Sequence, residues 1–181
     1  MKKNRSALLI ITAVFIASLI LAGLFYHGIL LFNNPSAYEY PVRGVDVSAY
    51  QGDIDWENLT GALPPVVDFE FYGDKEKNKP EKEAARAELD IILNELEIYY
   101  GVKPLIYATE AAYDAYLAGY YGSYDIWIRN VFSRPKKLQA QTWKFWQYTN
   151  RARLSGYSGP ERYIDMNVFN GTIEEFYSYA K

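Results

Sequence analysis

The feature that most constrains this chain of 181 residues is an uncharged stretch near its start. Residues 7–32 contain no residue that is charged at neutral pH. About 20 apolar residues are enough for a helix to cross a bilayer, so this stretch is long enough to span with some tilt. A cleaved signal peptide is the alternative, although its apolar core is usually shorter, about 7–15 residues. We favour a transmembrane signal anchor over residues 7–32.

The residues on either side of this stretch set its orientation. Lys2, Lys3 and Arg5 make residues 1–6 a basic tail, and basic residues before a membrane helix favour the cytoplasmic side. The rest of the chain is then expected outside the cell, as a single-pass protein of a bacterial cell membrane. Residues 33–42 are polar and are expected to form a linker.

Residues 43–181 alternate strand-like and helix-like patterns, which predicts an α/β domain with a parallel sheet or barrel. The clearest helix covers residues 81–100, where apolar residues recur at three- and four-residue spacing between Pro80 and Gly101. Shorter helices are expected at 110–118 and 173–180. Six strands are expected at 43–48, 65–70, 104–109, 125–129, 144–149 and 164–169.

The chemistry available to this domain is narrowed by the residue types it lacks. The chain has no cysteine, and its one histidine, His27, lies in the apolar segment. Disulfides, thiol nucleophiles, Ser-His-Asp triads and histidine-rich zinc sites are therefore excluded from the domain. A net charge of -3 gives no indication of a nucleic-acid partner. Catalysis would have to come from carboxylates, tyrosines, lysines or serines.

Four acids lie within or at the end of apolar, strand-like runs: Asp46, Asp68, Glu70 and Asp165. Asp68 and Glu70 are two residues apart, so they point to the same face of a strand. In a parallel barrel, the carboxyl ends of the strands bring distant residues into one site. We therefore expect the four acids to converge there.

Crowded carboxylates suit glycoside hydrolysis. Repulsion and burial keep one acid protonated as a general acid, while ionised neighbours stabilise an oxocarbenium-like transition state. Two alternatives remain open on the residues alone. Some of these acids could cap helices or pair with Arg43, Arg129 or Arg162, and oxygen ligands could also hold calcium or magnesium.

Six sequence blocks, in this order, resemble glycoside hydrolase family 25 lysozymes: RGVDVSAYQGDIDW, LPPVVDFE, KPLIYAT, DIWIRN, KFWQYT and YIDMNVFNGT. The resemblance runs from about Gly44 to Thr172. It implies a flattened, TIM-like β/α barrel that cleaves the β-1,4 bond between N-acetylmuramic acid and N-acetylglucosamine in peptidoglycan. It implies no metal and no organic cofactor.

The same resemblance implies roles for individual residues. Glu70 would be the general acid, and Asp68 would orient or polarise the substrate N-acetyl group or the attacking water. Asp46 and Asp165 would line the cleft and tune its charge. Further positions similar to cleft aromatics of the family, implied to bind substrate, are Tyr107, Trp127, Trp146 and Tyr148.

One departure from the family pattern is large. Only residues 57–62 separate the DIDW and LPPVVDFE motifs, where the family has its second and third βα units. A parallel crossover needs a dozen or more residues, so an incomplete barrel of about six strands is expected. Three hypotheses follow. The protein is an active muramidase, a non-catalytic peptidoglycan-binding relative whose barrel no longer positions the acids, or a remnant without a stable fold.

Overall fold

Six strands in one sheet form the centre of the domain. The computed structural model describes residues 2–46, 63–136, 138, 142–155 and 159–179. Within them, each strand overlaps the run from which it was predicted, and the count of six is confirmed for this part of the chain. The strands are β1 (Arg43–Asp46), β2 (Val66–Phe69), β3 (Leu105–Thr109), β4 (Ile126–Arg129), β5 (Phe145–Ala152) and β6 (Ile164–Phe169).

The sheet is mixed, whereas the alternating pattern had predicted a parallel one. Its order is β1-β6-β5-β4-β3-β2; β2 to β5 are parallel, and β6 is antiparallel to both β5 and β1. The reason is the short connection between β5 and β6, residues 153–163. A parallel return would need a crossover of a dozen or more residues, usually a helix.

Helices pack against both faces of this sheet. They are α2 (Asp74–Lys77), α3 (Lys82–Tyr100), α4 (Glu110–Ala112), which continues as a π-helical turn (Tyr113–Leu117), and α5 (Ile173–Tyr179). The predicted helix at 81–100 is α3. It ends at Gly101, which adopts a left-handed conformation (φ 70°) that favours glycine. The buried side of α3, Ala85, Leu89 and Leu93, packs in the main core against β2, β3 and β4.

The sheet curls so that its two edge strands approach each other. Leu63, just before β2, lines the same cavity as Gly44 and Val45 of β1. The charge of Asp46 on β1 also raises the pKa of Asp68 on β2. These edges are opposite ends of the strand order, so the sheet is bent into the incomplete, flattened barrel that the resemblance implied. The sequence between them, 47–62, includes the short connection at 57–62 and lies outside the described residues.

The N-terminal apolar stretch is a single helix, α1 (Lys2–Tyr26). Its segment Ser6–Tyr26 has a mean hydropathy of 2.8, and no residue in the most apolar part of this segment is buried. It is long and apolar enough to cross a membrane, as either an anchor or a signal sequence. Residues 33–42, expected to be a linker, contact the domain: Tyr40 is 3% exposed and belongs to the main core.

Candidate active site

All four predicted acids lie at one end of the strands of the curled sheet, where β1 to β5 finish and β6 begins. Asp46 ends β1, Asp68 is the third residue of β2, and Glu70 follows that strand directly. Asp165 is near the start of β6, and it pairs with Asp46 in the strand register. Because β6 runs opposite to the other five strands, its beginning lies beside their carboxyl ends. The predicted convergence therefore occurs, with a contribution from an antiparallel strand.

A cleft of about 580 Å³ opens at this edge. Glu70 and Asp165 line it, together with Tyr107 of β3 and Arg129 of β4. A cleft of this size falls in the range of small-molecule sites. The remaining lining residues are Phe71, Tyr72, Glu76, Lys79, Thr109, Ala111, Ala112 and Asn150.

The carboxylate of Glu70 has one oxygen in use and one free. Its Oε2 accepts a hydrogen bond of 2.6 Å from the Tyr72 hydroxyl, which also lies 3.5 Å from Asp68 Oδ2. Its Oε1 is buried and has no hydrogen-bond partner among the described residues. A buried carboxyl oxygen without a partner is costly. Glu70 itself lines the cleft, so this carboxyl group keeps unused hydrogen-bonding capacity next to the space that a ligand would occupy.

The aspartates around the cleft resist ionisation. Burial, and then repulsion from Asp46, raises the pKa of Asp165 to about 6, although Arg129 and a hydrogen bond from Gln147 act against the rise. Burial alone raises the pKa of Asp46. Much of the Asp68 residue is exposed, but burial of its carboxyl and then the charge of Glu70 raise its pKa as well. Mutual repulsion and partial burial thus act on the group as a whole.

A hydrogen-bonded chain connects the wall of the cleft to Asp165. The Tyr107 hydroxyl donates to Gln147 Oε1 at 2.5 Å, and the Gln147 amide donates to Asp165 Oδ2. Gln147 is 1% exposed. Burial and then the charge of Glu70 raise the pKa of Tyr107, so its hydroxyl remains a donor. This chain fixes both the amide of Gln147 and the carboxyl of Asp165.

A family model described as glycosyl hydrolases family 25 matches residues 58–157, more than half of the chain. The chain belongs to glycosyl hydrolase family 25. This membership confirms the resemblance carried by the sequence blocks.

Relatives of known sequence and structure agree with it. The uncharacterized protein YegX of Escherichia coli (strain K12) is 34% identical over 120 residues, which cover 66% of this chain and 41% of YegX. A family 25 glycosyl hydrolase from Bacillus anthracis is 34% identical, with a TM-score of 0.72, and the match covers 84% of this chain and 98% of that one. A family 25 lysozyme from Aspergillus fumigatus shares the fold, with a TM-score of 0.53 at 21% identity over 66% of this chain and 56% of that one. This chain thus spans less than half of YegX but nearly all of the Bacillus anthracis chain.

The four aromatic residues predicted to bind substrate in this family 25 domain take three different positions. Tyr107 lines the cleft. Trp127 is the partner of Tyr107 in the register of β3 and β4 and lies on the same face. Its indole donates to Asn167 Oδ1 at 2.8 Å, and its ring meets Tyr107 edge-on at 5.5 Å. It packs against Tyr107 and is not among the residues that line the cleft.

Trp146 and Tyr148 correct the prediction, because they lie on the other face of the sheet. Each is 3% exposed and belongs to the core beneath the helices. The Trp146 indole donates to the Asn130 carbonyl at 2.8 Å. Since successive side chains of a strand alternate between faces, only Gln147 between them points toward the acids. These two aromatics pack the domain and do not line the cleft.

Three residues that act on the acids were not among the predicted site residues: Tyr72 and Arg129, which line the cleft, and the buried Gln147, which donates to Asp165. The sequence carries a signal for Gln147, a polar residue inside the apolar run KFWQYT, where burial requires a partner. Arg129 ends a predicted strand, as the acids do. Nothing in the local pattern marks Tyr72, whose contact with Glu70 depends on the turn after β2.

Proposed function

We propose that this protein is a peptidoglycan hydrolase that cleaves the β-1,4 bond between N-acetylmuramic acid and N-acetylglucosamine, with Glu70 as the general acid. The observation that carries the proposal is the carboxyl group of Glu70, which lines the cleft and whose buried Oε1 has no hydrogen-bond partner among the described residues. A proton carried by this carboxyl group would be transferred to the glycosidic oxygen of a glycan bound in the cleft. In glycosidases, a carboxylic acid of this kind protonates the oxygen of the leaving group.

The neighbouring acids support this role electrostatically. As the bond breaks, positive charge develops on the sugar ring, and ionised Asp68, Asp46 and Asp165 would stabilise it. The Tyr72 hydroxyl lies near both Glu70 and Asp68, which supports a role for Asp68 in orienting the substrate N-acetyl group or the attacking water. Arg129 limits the repulsion among the acids, since its charge lowers the pKa of both Asp68 and Asp165.

The comparisons support the substrate class. A solved relative that shares the fold is named a family 25 lysozyme, and others are named muramidases. The Bacillus anthracis protein, at 34% identity, is named a family 25 glycosyl hydrolase. Glycan strands of peptidoglycan are therefore the proposed partner of the cleft.

We also propose that α1 remains attached as a membrane anchor. Lys2, Lys3 and Arg5 precede Ser6–Tyr26, which favours a cytoplasmic N-terminus and a domain outside the membrane. The enzyme would then act on wall material within reach of its own bilayer.

The test is muropeptide release from purified peptidoglycan by the full chain in mild detergent. We expect the parent to release fragments with muramic acid reducing ends. Glu70→Gln keeps the shape of the side chain but removes the acidic proton, so release should fall by about 10²-fold or more. Glu88→Gln is the matched control, because Glu88 is exposed on α3, and it should behave as the parent does.

Two outcomes would contradict the proposal in different ways. Full activity of Glu70→Gln would show that Glu70 is not the acid. Absence of release by a cooperatively folded parent that still co-sediments with peptidoglycan would favour the non-catalytic, glycan-binding hypothesis.

A further inference from the structure

The end of α1 is attached firmly to the domain. The Arg151 guanidinium donates to the Tyr26 carbonyl at 2.9 Å, and the Tyr163 hydroxyl donates to the same carbonyl at 3.1 Å. The guanidinium also lies 5.0 Å from the ring centroids of both tyrosines. Donors and a positive charge at the last carbonyls stabilise a helix end. The helix therefore leaves the domain in a fixed direction.

A glycine makes this close attachment possible. Gly28 has φ 63°, a conformation that favours glycine, and an added Cβ would lie 2.1 Å from the Arg151 carbonyl oxygen. Any side chain at residue 28 would push the end of α1 away from β5. At Gly23, five residues earlier, an added Cβ would have no described atom within 4 Å apart from the backbone of its own helix. The two glycines therefore form a matched pair for testing the attachment.

Exposed aromatic rings continue from the helix onto the domain. Phe25 stacks on Phe32 at 4.3 Å, and Phe32 meets Phe132, in the loop after β4, edge-on at 5.2 Å. Phe132 is 71% exposed and Phe32 is 57% exposed. Large apolar rings are not usually displayed together to water without a partner. Their continuity with an apolar helix indicates that the partner is lipid.

Positive charge lies on one side of these rings, since Arg151 lines a cavity together with Phe32 and Phe132. Arg151, Arg153 and Arg162 lie at the end of β5 and in its connection to β6, where Glu161 is the acid among the described residues. Aromatic rings with arginines at the end of a membrane helix are typical of the headgroup layer, whose anionic lipids attract such charge. We define the junction surface as Tyr26, Phe32, Phe132, Arg151 and Tyr163.

The junction surface adjoins the candidate cleft. A second cavity, of about 210 Å³, lies between the end of α1 and the domain, and Phe32 and Phe132 line it. Arg129 and Asn150 line both this cavity and the cleft. The end of the strands that carries the acids is thus also the end at which α1 joins the domain.

We propose that the junction surface rests on the headgroup layer of an anionic bilayer and holds the cleft at the membrane surface. This inference rests on the proposed membrane anchoring of α1 and not on the proposed hydrolysis. The cleft would then receive glycan that lies directly against the membrane, and glycan further out would be beyond its reach.

The experiment uses single-cysteine variants of the full chain, which has no cysteine of its own. Ser18→Cys reports on α1, Ser133→Cys on the junction surface, and Ser178→Cys on exposed α5 away from the cleft. Each carries an environment-sensitive fluorophore in nanodiscs of phosphatidylcholine and phosphatidylglycerol. A spin label on the lipid, near the headgroup, quenches fluorophores that contact the interface.

We expect quenching at Ser133→Cys but not at Ser178→Cys, with a blue-shifted emission at Ser18→Cys. Gly28→Ala should abolish the quenching at residue 133 and leave the emission at residue 18 unchanged, whereas Gly23→Ala should alter neither. An unquenched label at residue 133 above an inserted α1 would overturn the proposal and leave the anchor intact. A water-like emission at residue 18 would overturn the anchor and the proposal together. Neither of these two outcomes bears on the proposed hydrolysis, which is tested separately by muropeptide release.

Discussion

The two ends of the sheet's inner face bury different kinds of residue. At one end lie the four acids, with raised aspartate pKa values and a carboxyl oxygen that has no partner in the described part of the chain. At the other end, Leu105, Phe145 and Phe169 form a closed apolar cluster against α5. Both ends belong to the same strands; on β6, Asp165 and Phe169 are four residues apart on one face. The difference indicates that the apolar end stabilises the fold, while the acidic end weakens it in favour of function.

The largest expected effect comes from opening the apolar end. Phe169 is 1% exposed, with the rings of Phe145 and Phe176 at 5.2 and 5.3 Å. Phe169→Ala should lower the free energy of unfolding by about 3–5 kcal/mol, through lost burial and a cavity. Urea unfolding of the full chain in mild detergent measures this. The control is Tyr177→Ala on α5, the helix that packs against this cluster. Tyr177 is 73% exposed, so this variant should change the free energy of unfolding little.

The next effect has the opposite sign and comes from the acidic end. Raising the Asp165 pKa from 3.8 to about 6 disfavours its ionised form in the folded state by at most about 3 kcal/mol, and solvent screening at this partly exposed carboxyl lowers that figure. Asp165→Asn removes that charge and keeps an oxygen to accept from Gln147. Above pH 6, the variant should therefore unfold at higher urea than the parent, by up to about 3 kcal/mol. A less stable variant at pH 8 would contradict the idea that this charge is unfavourable.

The same pair of proteins gives a pH test. Between about pH 4 and pH 6, folded Asp165 holds a proton that the unfolded chain has released, so this group makes the parent lose stability as pH rises through that window. The Asn variant lacks this contribution. The difference in unfolding free energy should therefore be near zero at pH 4 and reach its full value above pH 6. A difference that does not depend on pH would assign the gain to packing.

Much of this contrast could be predicted from the sequence, because the acids stand at the ends of apolar runs. Strand ends are local features, so Asp46, Asp68 and Glu70 could be placed together at the carboxyl ends of their strands without a structure. The direction of β6 could not, since the pattern of a strand is the same in either direction. It depends on the length of a connection, and here the antiparallel return brings Asp165 to the site.

The errors arose where residues were assigned to the cleft from the family resemblance without knowing which face of the sheet they occupy. Trp146 and Tyr148 were assigned to the cleft, yet they flank Gln147 on β5 and are buried in the main core on the other face. The alternation of side chains was visible in KFWQYT. Which of the two alternating sets faces the acids could be decided only from the register of β5 with β4 and β6. Tyr72 is a different case, because its contact with Glu70 is formed by a turn whose conformation the sequence does not specify.

The smallest expected effect concerns that contact. The Tyr72 hydroxyl donates to Glu70 at 2.6 Å, but the residue is 67% exposed. If Glu70 acts as proposed, Tyr72→Phe leaves its Oε2 without this donor, and one such bond is worth about 1 kcal/mol, or about five-fold in kcat/KM. The folded state should be as stable as before, because little buried surface is lost. Tyr38→Phe, at a residue 98% exposed, is the control. A loss as large as that of Glu70→Gln would show that Tyr72 belongs to the reacting groups, and an unchanged rate would show that Glu70 is held in place by its burial alone.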